Sequence, residues 1–164
     1  YNEYNTSRRC TRDRGKGGRL PRHPELQGGR GHAGTGAANV CTSPDSGETW
    51  EISDPNALYT GTVIGAGFAS EMVGFISYRY FFDNGPEIAR TLDGGKTWAR
   101  LELDIPEEYA QYNMQPQNPT FSGNDGNYPI ILLDKDGNDR TMTLHTHDGG
   151  MTWIWPKLSA VDVS

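Results

Sequence analysis

The sequence predicts an all-β fold, a partial β-propeller of four-stranded antiparallel blades. Three observations predict it. One eight-residue pattern occurs three times: "SPDSGETW" from Ser43 to Trp50, "TLDGGKTW" from Thr91 to Trp98 and "THDGGMTW" from Thr146 to Trp153. Its aspartates, Asp45, Asp93 and Asp148, stand 48 and 55 residues apart, close to the roughly 40–50 residues of a propeller blade. Between the copies run short stretches rich in Val, Ile, Phe and Tyr, divided by Gly, Asn, Asp and Pro in a chain of 164 residues with 21 Gly and 10 Pro. Short strands between closely spaced turns are the all-β signature.

The elements follow in order. Residues 1–38 form a basic Gly/Arg-rich segment without Trp, Phe, Ile or Val. It is expected to be disordered, or foreign to the domain, because so little apolar surface cannot offset the entropy of ordering. Residues 39–164 carry the propeller signals. With blade strands named A to D from the inside outward, the first pattern has only an outer half-blade, residues 39–53. The second closes a full blade, 58–104, with A at 60–68, B at 73–82, C at 87–92 and D at 97–103. The third closes another, 117–160, with A at 119–123, B at 128–134, C at 140–147 and D at 152–158. Two and a half blades do not close a ring, which usually takes about 4–8. The expectation is therefore a piece of a longer propeller, or a ring completed by other copies.

Each pattern falls at a C–D turn and has a mechanical reading. The first-position Ser43, Thr91 and Thr146 can bond across the turn. Asp45, Asp93 and Asp148 can accept backbone N–H groups. Gly47, Gly95 and Gly150 suit a positive φ. Thr49, Thr97 and Thr152 open the outgoing strand, and Trp50, Trp98 and Trp153 place a large apolar body against it. Three aspartates in equivalent turns of different blades cannot meet at one catalytic or metal centre, so the motif reads as structural.

The pattern from Val40 to Leu158 resembles the BNR/Asp-box propellers: sialidases, sortilin-like receptor domains and photosystem II assembly factors. The resemblance implies the propeller fold and an extracellular or cell-envelope location. It does not select a function, since one fold hosts many sites. A sialidase would grip a carboxylate with an arginine cluster and use a Tyr/Glu nucleophile pair with an Asp acid/base. The Arg-Ile-Pro motif of that family is absent, and beyond residue 38 the arginines are only Arg79, Arg90, Arg100 and Arg140. No catalytic residue is assigned. The expected function is a non-catalytic binding or scaffolding module; the alternative is a fragment of a sialidase-like glycosidase.

Other chemistry is sparse. "DKDGND" departs from a calcium loop by Asp139 and His145, where Gly and Glu are needed. His145 and His147 share one strand face without a third ligand in sequence, so no metal or cofactor is expected. The net charge of −6 divides unevenly: residues 1–32 carry eight basic and three acidic side chains, the remainder seven and eighteen. An Arg/Gly tail could bind RNA, yet only Tyr1 and Tyr4 supply aromatics for stacking, and nucleic acid is not the expected partner. No apolar run approaches the roughly 18 residues of a membrane span. Cys10 and Cys41 could pair.

A blade puts its C–D and A–B turns on one side and its B–C and D–A connections on the other. A carbohydrate or protein ligand is expected on the second side. The candidates are Asp134 and Asp136 in the last B–C turn, and Glu107, Glu108, Tyr109 and Tyr112 in the long connection 104–119.

Overall fold

A computed structural model of the chain describes residues 3–7, 39–43, 49, 51–53, 62–79 and 85–157. These residues form three antiparallel sheets in chain order. The first holds β1 (Glu3–Ser7), β2 (Asn39–Ser43) and β3 (Glu51–Ser53), in that order. The second holds β4 (Val63–Phe68), β5 (Gly74–Tyr78), β6 (Ile88–Thr91) and β7 (Ala99–Arg100), again in chain order. The third holds β8 (Asn113–Pro116), β9 (Thr120–Ser122), β10 (Asp125–Leu133) and β11 (Arg140–Thr146), with β8 and β9 both paired to β10. Successive meanders stacked face to face make a partial β-propeller. They are blades 1, 2 and 3.

The middle blade shows how the stack coheres. All five residues of β5 are buried, because the two faces of this strand meet different neighbours. Phe75 and Ile88 pack with Tyr128, Ile130, Leu132 and Leu144 of blade 3. The alternate residues Ile76, Tyr78 and Ala89 pack with Val40 of blade 1. This is the two-residue period of a strand covered on both sides. Burying each large apolar side chain contributes about 1.5–3 kcal/mol.

The inner strands approach closely. A Cβ on Gly67 would lie 2.5 Å from Pro119 O, and one on Gly65 would lie 2.7 Å from Asn118 Oδ1. The same Asn118 Oδ1 accepts the Ala66 N–H of β4 at 3.0 Å. Ser77 Oγ donates to Gln117 O at 2.7 Å and lies 2.8 Å from Tyr128 OH, so a buried polar chain crosses the same interface.

Several expectations are corrected. Glu3–Ser7, placed in the segment without elements, pairs along its length with Asn39–Ser43. Blade 1 therefore has three described strands rather than two. Tyr4 and Thr6 favour a strand, but the segment has none of the Val, Ile, Phe or Trp that mark strands elsewhere in the chain. Residues 8–38 lie outside the described residues. The inner strand of blade 3 begins at Asn113, not 119; the Gln117 N–H still donates to Pro129 O of β10, and the chain then turns aside at 118–119, where Asn118 reaches Ala66. The outer strands are shorter than expected. β7 has two residues, and the last blade keeps one bridge, His145 to Ile154.

Candidate functional site: the repeated turn and the loop face

The turn from Thr91 is built around one hydroxyl and one carboxylate. Thr91 Oγ1 accepts the N–H of Asp93 at 3.3 Å and of Gly95 at 2.8 Å, and donates to Asp93 Oδ1 at 2.8 Å. That uses its one proton and both lone pairs, which a buried hydroxyl requires; Thr91 is 1% exposed. Asp93 in turn accepts the Thr97 N–H at 2.9 Å and the Thr97 hydroxyl. The turn from Thr146 repeats each bond. Thr146 Oγ1 binds Asp148 and the Gly150 N–H, and Asp148 accepts the Thr152 N–H and hydroxyl.

Backbone conformation explains the glycines. Gly95 and Gly150 have φ of 87° and 85°, and the preceding Gly94 and Gly149 have 74° and 72°. Two consecutive left-handed residues strongly favour glycine. The Gly94 N–H donates to Met72 O and the Gly149 N–H to Asn124 O. Each turn is thus tied to the A–B turn of its own blade, which puts both turn types on one side of the molecule.

The tryptophans look backward along the stack. Trp153 meets Phe75 of blade 2 edge-on at 5.6 Å, as well as Phe121 and Tyr128. Trp98 packs against the cluster that contains Val40 of blade 1, and its Nε1–H donates to Gly95 O. So each turn closes a hairpin and also seals the joint with the preceding blade. Ser43 has only its backbone described, and Asp45, Gly47 and Trp50 lie outside the described residues; Thr49 is exposed.

The carboxylates are committed to these turns. Hydrogen bonds from the Thr152 hydroxyl, the Thr152 N–H and the Thr146 hydroxyl hold the Asp148 carboxyl well below its ordinary value. For Asp93, burial pushes upward, and the combined bonds from Thr97, Thr91 and the Lys96 backbone outweigh it. Both stay ionised at neutral pH with their oxygens facing their own backbone. That is the reverse of a poised acid or base.

The opposite side is arranged differently. The connection after blade 2 contains a 3-10 turn, Glu107–Tyr109, and then β8, so it is shorter than the expected 104–119 loop. Tyr109 and Tyr112, expected to face a ligand, are instead 0% and 6% exposed. Tyr109 packs on Trp155 and donates to Pro156 O at 2.8 Å. Tyr112 OH accepts from Arg140 Nη2 at 3.0 Å, with the guanidinium over its ring. The two rings are anchors. Glu107 and Glu108, which precede Tyr109 on the same 3-10 turn, are both exposed. In the B–C turn of blade 3, Asp134 Oδ1 accepts the Asp136 N–H, and Gly137 turns with φ of 78°. Asp136 is exposed and Asp134 half-buried.

No family model matches the chain, and no curated protein matches it. Three solved structures are similar in part. One is described as YCF48 bound to D1 peptide, at 23% identity and a TM-score of 0.43, over 61% of this chain and 27% of that one. YCF48 from Cyanidioschyzon merolae follows at 22% and 0.42, over 61% and 28%. The Hadza microbial sialidase Hz136 follows at 19% and 0.44, over 71% and 30%. The chain spans less than a third of the length of each. All three lie in the range where no functional argument passes from one chain to another.

The described arginines do not converge. Arg100 is paired to Glu87 at 3.1 Å and to Glu102 at 3.5 Å. Arg140 is held by Tyr112, and Arg90 donates to Met151 O at 3.3 Å. Of "SYRYFF", Tyr78 is buried, Arg79 is exposed and Tyr80 lies outside the described residues. Among the described residues no group of three or more His, Cys, Asp or Glu is placed to hold a metal ion. No helix among them is long and apolar enough to cross a membrane.

Proposed function

We propose that this propeller module, a BNR/Asp-box propeller in character, binds a protein or carbohydrate ligand without catalysing a reaction on it. The side opposite the repeated turns receives the ligand. One observation carries the reading: Glu107 and Glu108 are held out to solvent on a 3-10 turn whose neighbouring tyrosines are locked into the core. A pinned turn presents its side chains with little ordering entropy left to lose on binding. Asp134 and Asp136 extend the same acidic side. A ligand with cationic or hydroxyl groups suits it better than nucleic acid, which the carboxylates would repel.

The alternative, a sialidase-like fragment, requires several arginines around one carboxylate, and the engagements of Arg90, Arg100 and Arg140 weigh against that. Further blades, or other copies of the chain, would close the ring. An extracellular or cell-envelope location is supported by Cys41, which is buried and disulfide-bonded, a bond that persists in oxidising compartments. The chain's other cysteine, Cys10, lies outside the described residues.

The test is an array of basic peptides and of neutral and sialylated glycans, probed with the whole chain. A fluorogenic sialoside is assayed in parallel. The expected result is a binding signal that the double variant Glu107→Ala/Glu108→Ala reduces about tenfold, with no sialoside turnover. Turnover of the sialoside, or binding indifferent to that variant, would overturn the reading.

A further inference from the structure

His145 stands on the side of β11 that faces away from blade 2, and His147 follows two residues on, just past the strand's end at Thr146. Met142, Leu144 and Thr146 point the other way and are buried. Both imidazoles are exposed, His147 at 71% of its side-chain surface. Two residues of extended chain span at most roughly 7 Å between Cα atoms, a spacing from which two rings can converge on one ion. Sequence alone offers two ligands and stops there.

The neighbouring strand adds what sequence lacks. His145 lies opposite Asn127 in the β10–β11 ladder. Its Nδ1 is 2.8 Å from Asn127 Oδ1, and His147 Nδ1 is 2.7 Å from Asp125 Oδ1. Both partners are oxygens, so in each neutral ring Nδ1 is the donor and carries the proton. That fixes the tautomer and leaves the Nε2 lone pair unprotonated on both rings. A side-chain oxygen behind the far nitrogen of each histidine is the supporting arrangement that metal-ligating imidazoles recurrently use. It orients the ring and raises its basicity.

We propose that His145 Nε2 and His147 Nε2 form a surface site for a divalent transition-metal ion. Water completes the coordination, and Asp125 and Asn127 act as positioning residues. Imidazole nitrogen selects the borderline ions Cu²⁺, Ni²⁺ and Zn²⁺ over Ca²⁺ and Mg²⁺, and the general affinity order puts Cu²⁺ tightest. The site has two protein ligands and is open. It is separate from the acidic side, and it adjoins the third repeated turn, of which His147 is the second residue.

The experiment titrates the full chain with Cu²⁺ and with Zn²⁺ by calorimetry, and records the Cu²⁺ electron paramagnetic resonance spectrum. The expected result is one ion per chain with two-nitrogen coordination. His145→Gln and His147→Gln should each weaken Cu²⁺ at least tenfold. Asp125→Asn should weaken it less while leaving both nitrogens in the spectrum, a signature of positioning rather than ligation. The chain's other two histidines, His23 and His32, serve as the control, and the variant lacking both should bind as the parent does. Affinity unchanged in His145→Gln and His147→Gln, or lost with His23 and His32, would overturn the proposal. The side chains of Asp125, His145 and His147 are all exposed, and urea midpoints matching the parent would confirm that folding is preserved.

Discussion

Blades 2 and 3 have the same turn and different outward faces. The pairing registers align them residue by residue: Gly74 sits opposite Thr91 and Gly126 opposite Thr146, so Phe75 corresponds to Asn127 and Arg90 to His145. One step further along, Ile88 corresponds to Thr143. Phe75 and Ile88 of blade 2 are fully buried beneath blade 3. Asn127 is exposed and Thr143 half-buried on the corresponding face of blade 3. The comparison separates two jobs. The Thr-x-Asp-Gly-Gly turn closes each hairpin in one way, and the residues alternating along strands B and C decide whether a face takes a neighbour or meets water.

The largest effect should come from breaking the turn where it also touches the joint. Gly150 has positive φ, and a Cβ there would strike the Phe75 ring and approach Trp153 at 3.3 Å. Gly149 has positive φ with nothing within 4 Å of a Cβ. Gly150→Ala should therefore lose about 3 kcal/mol or more, backbone strain and overpacking together. Gly149→Ala should lose about 1 kcal/mol, from strain alone. Urea unfolding of both variants checks the ordering, and equal losses would deny that the turn is part of the joint.

Next in size is Thr146→Val, which keeps the side-chain shape and removes the hydroxyl that accepts two turn N–H groups. The Gly150 N–H is buried, so about 2 kcal/mol should be lost. Thr146→Ser should stay within about 0.5 kcal/mol of the parent. Smallest in stability is Thr143→Ile, which copies the blade 2 residue onto the outward face of blade 3. It should move stability by less than about 0.5 kcal/mol. Light scattering should show increased self-association, because a polar face has been made apolar. No change in mass at high concentration would mean that the two faces differ for another reason.

The sequence carried the frame of this molecule because the frame is written in backbone chemistry. Two left-handed glycines, a hydroxyl and a carboxylate at fixed spacing have few alternatives, so Thr91 to Trp98 and Thr146 to Trp153 could be read as turns directly. Strands β5, β6 and β11 lie within the ranges 73–82, 87–92 and 140–147 that the spacing of the repeated turns assigned to them. The binding side was less legible. Tyr109 and Tyr112 looked like ligand contacts because nothing local marks a tyrosine as anchored; Pro156 and Arg140, which hold them, are 47 and 28 residues away. The partners of His145 and His147 were hidden for the same reason, since Asn127 and Asp125 face them only through the β10–β11 register. The backward reach of Trp153 to Phe75 is likewise a property of stacked blades and not of the motif.

The central claim is that the repeated aspartates are structural anchors held ionised by their own turns. Asp148 tests it most directly, by urea unfolding of Asp148→Ala beside the parent from pH 7 down to pH 2. At pH 7 the parent should be more stable by about 1–2 kcal/mol, the worth of an exposed carboxylate with several hydrogen bonds. The folded-state carboxyl titrates below its ordinary 3.8. The advantage should therefore hold above that value and shrink as the pH falls beneath it, when protonation weakens the bonds to Thr152. Equal stability at pH 7, or a gap that widens on acidification, would contradict the account.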